Sequence, residues 1–378
     1  MYQASSSFHT AVANGAHQIA LLIFNDAVFT NDDINVSAGI EFNDYFNTEE
    51  DLSIGQALSN EITFSIFNDA GTLNEYAFGD FLATIGAQIG NETVTAQGKI
   101  RVDSAEHTYV ANATNPYLTR DGSEVADQPD AEVISMLIYD GTVYCRLSDG
   151  TVTGYDDDDG SSISVSLNAF MLDQMAKWNG KGISYANRML KIWKGTNLRT
   201  YEFVPLGCFT AERPNVPSVN EIHFTCYDYM QKFEKDMPDD ATLGLSYPCS
   251  FSTLFTKMCN YVGVSYVSST FINSTATISA RPDDFDRVTM REVLQWLAEA
   301  ACAVARFDRD GELKMDWLRS TAQSFNENKY IEFNPYWYET KQITKLYNRA
   351  SNGDYDKTVG SGDEAYLIQD NPLLKGVN

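Results

Sequence analysis

Four histidines, six cysteines and 52 carboxylates are the side chains of this 378-residue chain that could do acid–base, nucleophilic or metal chemistry. His9, His17, His107 and His223 could bind a metal or relay a proton, yet none stands at ligand spacing from another or from a cysteine, and there is no His-Glu-x-x-His. His223, inside an alternating run, reads as a half-buried imidazole satisfied by a neighbour. Gly182-Ile183-Ser184-Tyr185-Ala186 approaches the Gly-x-Ser-x-Gly elbow of a hydrolase but lacks its last glycine. Asn179-Gly180-Lys181-Gly182 is no phosphate loop, because Met175 stands where the earlier glycine belongs. Asp156–Gly160 and Asp308-Arg309-Asp310-Gly311 offer the clustered oxygens that a hard cation takes. The closing position of a calcium loop would fall on Leu167 or Arg319 instead of a glutamate, which leaves a solvated loop and a turn. Paired carboxylates for glycoside cleavage cannot be found by spacing in so acidic a chain. Tyr330, Phe333, Tyr336, Trp337 and Tyr338 form an aromatic cluster that suits a core, a subunit interface or a sugar platform. No catalytic, cofactor-binding or metal-binding residue is therefore assigned, and no cofactor is implied.

The elements that would position such groups are clearest between Thr289 and Trp317. Thr289 and Glu292 form a capping box, which starts a helix. Val293, Leu294, Leu297, Ala298, Ala301 and Cys302 then recur on one helical face and call for a partner layer. Ala303–Phe307 and Glu312–Trp317 supply it as a hairpin, with Asp310-Gly311 favouring the positive φ of the turn.

Composition narrows the function classes. With 43% hydrophobic residues the chain can build cores, and its length suits two or three domains. The net charge of −25 repels free nucleic acid and anionic membranes. It reads either as a solvated acidic surface or as a wall past which a polyanion slides. Cys145, Cys208, Cys226, Cys249, Cys259 and Cys302 lie far apart and read as buried free thiols of a protein made in a reducing cytoplasm. The first residues show no secretory signal, and no apolar run reaches membrane-spanning length. A role outside the cell would thus require release by lysis or incorporation into a particle.

Taken in order, the chain reads as β-rich α+β. His17–Phe24 and Val28-Phe29 are strand candidates, and Glu61–Phe67 alternates with Ile62, Phe64 and Ile66 on one face. Tyr76–Ile89, broken by glycines, is ambiguous. From Arg101 to Gly160 there are 13 acidic and three basic residues, a net charge of −10. Asp140-Gly141-Thr142-Val143 returns as Asp149-Gly150-Thr151-Val152 there, the mark of a small meander. Ile163–Leu167, Met189–Trp193, Tyr201–Thr210 and Glu221–Tyr227 resume the strands, the last two joined across Arg213–Pro217. Leu254, Phe255, Met258, Cys259 and Val262 form a helical face that Gly263 ends, and Val264–Val267 and Thr277–Ala280 are further strand candidates. The expected layout is a β domain from 1–102 with 163–245, an acidic inserted β subdomain at 103–162, an α+β domain at 246–320, and the start of a second β domain at 321–378.

Several of these segments, in this order, resemble the baseplate hub proteins of bacteriophage and prophage tails, including the N-terminal hub module of tail-associated lysins and endopeptidase tail proteins. They are Glu61–Asn68, the Leu-Gly-x-Phe stretch Leu206–Pro214, Phe224–Met230 with its Tyr227-Asp228 ending, Tyr247-Pro248, Met290–Leu294 and Asp308–Leu313. Residues 103–162 match nothing in the pattern and resemble a lineage-specific insertion. The resemblance implies tube-like antiparallel β-barrel domains in a homotrimer, forming a ring at the tail tip around the DNA channel. It implies a distal tail protein, the tail tube and the tape-measure protein as partners, and a tail fibre or lytic module as further ones. DNA would pass without specific binding, and no stable membrane insertion is expected. The expected place is the virion tail tip, after synthesis in the host cytoplasm. No catalytic residue comes with the resemblance. The rival readings are a receptor- or carbohydrate-binding tail-tip protein and a cell-wall hydrolase.

Overall fold

The computed structural model describes the chain outside residues 1–3, 25–26, 36, 38, 45–53, 72, 75, 94–99, 105, 140, 166–180, 187, 195, 212–219, 317–343, 355, 364 and 375–378. It divides into two compact units, 1–41 with 63–226 and 42–62 with 227–378. Large antiparallel sheets dominate and helices are few, as an α+β, β-rich chain requires. The aromatic cluster at Tyr330–Tyr338 and the Arg213–Pro217 link lie outside the described residues.

A short helix unforeseen by the sequence, α1 (Ser6–Ala13), opens the first unit; Ser5 caps it by accepting from Phe8 N–H, and none of its residues is buried. Strand β1 (Gln18–Phe24) turns into β2 (Val28–Phe29) in a hairpin. β3 (Glu41–Asn43), β4 (Ala57–Leu58) and β5 (Glu61–Phe67) follow, and the ambiguous glycine-broken stretch proves to be a 14-residue strand, β6 (Asp80–Thr93).

The acidic segment then forms one separate four-stranded sheet and one end of the main sheet, where Met136–Ile138 pair in parallel with Gly182–Ser184. β7 (Ile100–Asp103), β8 (Thr108–Ala111), β9 (Leu118–Arg120) and β10 (Ser123–Glu124) pair in sequence. β11 (Val133–Tyr139), β12 (Thr142–Leu147), β13 (Val152–Asp156) and β14 (Ser162–Ile163) make the meander that the repeated turn signal called for. The small sheet and this end of the main sheet share a buried cluster, including Val102, Tyr109, Leu118, Val133, Met136 and Tyr155.

β15 (Gly182–Ala186), β16 (Met189–Lys194), β17 (Asn197–Thr210, again 14 residues) and β18 (Glu221–Asp228) complete the main sheet. β17 lies against β6 over almost its full length, from Asn197↔Thr93 to Thr210↔Asp80, while β1 pairs with the other edge of β6. The path runs on from β17 to β18 and β5. Phenylalanines from these strands pack together: Phe24 stacks on Phe81 at 4.7 Å between ring centres, and Phe64 on Phe224 at 5.1 Å. Ile62, Phe64 and Ile66 are all buried, as are Ile222, Phe224 and Cys226, so the alternation read from the sequence marks the core faces of β5 and β18.

The second unit holds most of the helical structure. α2 (Asp240–Leu243) is a single turn; β19 (Cys249–Ser250) leads into α3 (Phe251–Val262), which Ser250 caps and Gly263 ends in the left-handed conformation. β20 (Thr277–Ile278) pairs with β19. The expected strand at Val264–Val267 is reduced to one bridge, Tyr266↔Leu313. The capping box is formed, and α4 (Met290–Ala300) follows it. β21 (Val304–Phe307) and β22 (Leu313–Asp316) make the hairpin, in which the Asp308 carboxylate accepts from Asp310 N and Glu312 N at 3.0 Å each and Gly311 takes φ 79°. β4 adds to β21 in parallel. Leu254, Phe255, Met258, Leu294, Leu297 and Phe307 interlock in this core. The helical face stops one residue earlier than its sequence spacing suggests, because Ala301 is the C-cap and Cys302 has left the helix at φ 51°. β23 (Lys345–Arg349), β24 (Asp356–Gly360) and β25 (Ala365–Gln369) form a last small sheet, after which Asn371 binds the end of α4 through Trp296 O and the Glu299 carboxylate.

Candidate functional site

The residues that could do chemistry stay dispersed. His17 Nδ1 meets Tyr201 OH at 3.2 Å, His107 Nδ1 meets Asp121 Oδ2 at 2.7 Å, and His223 Nδ1 meets Ser65 Oγ at 3.0 Å. His223 is exposed and not half-buried, since it sits on the outward side of β18, although its ring nitrogen is satisfied as expected. His9 stands exposed on α1. Among the described residues no group of three or more His, Cys, Asp or Glu is placed to hold a metal ion. The Gly182–Ala186 stretch is a regular strand hairpinned to β16, without the strand-to-helix turn that exposes a nucleophile. Its glycine has a packing cause: a Cβ at Gly182 would lie 2.0 Å from the backbone oxygen of Arg101. In the Asp156–Gly160 loop, Arg120 Nη2 takes the carbonyls of Asp157 and Asp158 at 2.8 and 2.6 Å, and Asp156 and Asp159 bind backbone N–H groups two residues on. That is turn chemistry. No disulfide joins any of the six cysteines; burial pushes the Cys249 thiol up to about 11 and that of Cys259 up to about 12, so neither is a thiolate nucleophile at neutral pH.

One site in the second unit is built differently. Residues 56–59, which include β4, the end of β18 with the following turn Tyr229–Phe233, and the first turns of α4 enclose a cleft of about 540 Å³. Its lining combines Gln56, Ser59, Tyr227, Gln231, Glu234 and Gln295 with Ala57, Leu58 and Arg291. The Arg291 guanidinium holds the cleft together: Nε and Nη2 donate to the Ala57 carbonyl at 3.1 and 2.8 Å, and Nη1 to the Glu234 carboxylate. Behind it lies Asp228, only 2% exposed. Its carboxylate accepts from Asn60 N at 2.8 Å, Ser59 Oγ at 2.9 Å and Met230 N at 3.0 Å, so it ties residues 59–60 to the turn that it N-caps. Burial raises its pKa to about 6, against the opposing pull of these donors and of the Arg291 charge. Sequence reading marked Tyr227-Asp228 as a strand ending and gave neither a role; an Asp directly before a turn was the one available signal.

A second feature also escaped the sequence reading. Residues 174–201 hold six basic residues and no acidic one, in a chain of net charge −25. Within the first unit part of this tract meets the acidic segment: Lys191 Nζ lies 3.7 Å from Asp103, and Arg101 sits over the Trp193 ring at 5.6 Å. One ion pair and one cation–π contact thus join β7 to β16. No helix among the described residues is long and apolar enough to cross a membrane. No protein-family description matches this chain, and no curated protein matches its sequence significantly.

Proposed function

We propose that this chain is a non-enzymatic structural hub of a phage or prophage tail tip, three copies forming a ring around the DNA channel and joining the tail tube to the distal tail components. The observation that carries the reading is the placement of three motif segments that lie far apart in sequence. Leu206–Thr210, Phe224–Asp228 and Glu61–Phe67 fall on β17, β18 and β5, which are consecutive in the main sheet. The long β6–β17 pair, with β1 on its far side, and the phenylalanines packed against these strands support the reading of this sheet as the wall of a tube-like domain. Charge supports the same role. Three times −25 gives the ring about −75, and an acidic lumen releases phosphates instead of binding them. Light scattering on the purified chain, at moderate salt and across a concentration series, should give three times the 42.2 kDa chain mass. A mass that stays at one chain throughout would count against the ring.

A further inference from the structure

We propose, resting on the hub reading for the presence of several copies, that neighbouring copies of this chain meet through a neutral face formed by the end of α3 and the loop 263–276. From Ala241 to Ala280 Lys257 is the single charged residue, where the chain average of 21% would place about eight. Burial does not account for this, because most of the residues between Tyr261 and Ala280 are exposed.

The same stretch turns large apolar side chains outward. Tyr261, Val267 and Ile272 are 44%, 54% and 46% exposed. They stand on a fixed frame: Tyr266 and Phe271 each pack on Phe255 at 5.5 Å between ring centres, and the residue after each, Val267 and Ile272, is exposed. Val267 N donates to Leu313 O at 3.0 Å, and Asn273 Nδ2 to Ala300 O at 2.8 Å. A loop pinned in this way has little conformational freedom left to lose when it docks. Depletion of charge around exposed apolar side chains is what marks the centre of a protein interface.

Electrostatics selects the occupant. Two copies of net charge −25 repel each other, and the repulsion is least where neither presents a carboxylate. A basic partner would gain nothing here, since the carboxylates that would attract it lie elsewhere in the chain. A second copy is the partner whose approach this neutrality favours.

The test is sedimentation velocity on the full chain across a concentration series, for the parent, Val267→Glu, Val267→Lys and Ile272→Glu. Val12→Glu, at an apolar residue of α1 that is 40% exposed, is the control. Each charge at 267 or 272 would be buried unpaired in the contact and should raise the concentration at half-assembly by about tenfold or more, whereas the control should leave it unchanged. Lysine lowers the net negative charge, so its agreement with glutamate separates the contact from long-range repulsion. Thermal midpoints verify that the variants fold, and Tyr261→Glu replaces any that does not. Variants that assemble as the parent does, a Val267→Lys chain that assembles better, or a control weakened equally would overturn this proposal alone. A parent that stays monomeric throughout would overturn it together with the hub reading.

Discussion

Asp228→Ala should destabilise the chain by about 2–4 kcal/mol near pH 5, because it strips the buried N–H groups of Asn60 and Met230 of their acceptor. The pH dependence of that loss is the sharper test. In the folded chain Asp228 holds its proton up to about pH 6, against 3.8 for an ordinary aspartate, and burial is the main cause. Between those values the folded state binds more protons than the unfolded one, so this group's contribution to stability is fully present below 3.8 and declines as pH rises through 6. The cost of Asp228→Ala should therefore shrink by about 1–2 kcal/mol between pH 5 and pH 8. Paired urea titrations of the parent and the variant read this difference directly, since the other carboxylates cancel. A cost that grows with pH would mean that the three donors outweigh burial and that the ionised carboxylate is the favoured form.

Leu297→Ala is expected to cost about 2–5 kcal/mol. Leu297 is 0% exposed, on the face of α4 that closes the helical core, with Leu294, Phe255 and Phe307 in the same cluster. Such tight packing cannot collapse around a missing isobutyl group without moving α4, and the cavity term adds to the lost transfer energy. The denaturation midpoint should fall with little change in the urea dependence. An unchanged midpoint would remove this face of α4 from the core.

The difference between what could be read from the sequence and what could not follows the range of the interactions. The capping box at Thr289, the left-handed stop at Gly263 and the Asp308–Gly311 turn are settled within a few residues, and each was legible. α1 was missed because its residues bury nothing and so leave no apolar period. β6 was ambiguous because Gly86 and Gly90 interrupt its pattern, and only pairing with β1 and β17 fixes its extent. The extrapolated helical face over Cys302 failed because periodicity does not register where the backbone changes hand. The cleft was the least legible part. Its walls come from residues 56–59, 227–234 and 291–295, and Asp228 owes its burial and its partners to stretches remote in sequence. Nothing local distinguishes that aspartate from the many on the surface.

The hub reading requires three copies of this β-rich α+β chain, in which β17, β18 and β5 are adjacent, to close into a ring. The most direct measurement is therefore electron microscopy of the purified assembly. Class averages are expected to show a threefold ring with an open axial channel wide enough for a DNA duplex and walls of acidic residues. A compact particle without an axial opening, or a ring whose acidic residues all face outward, would contradict it.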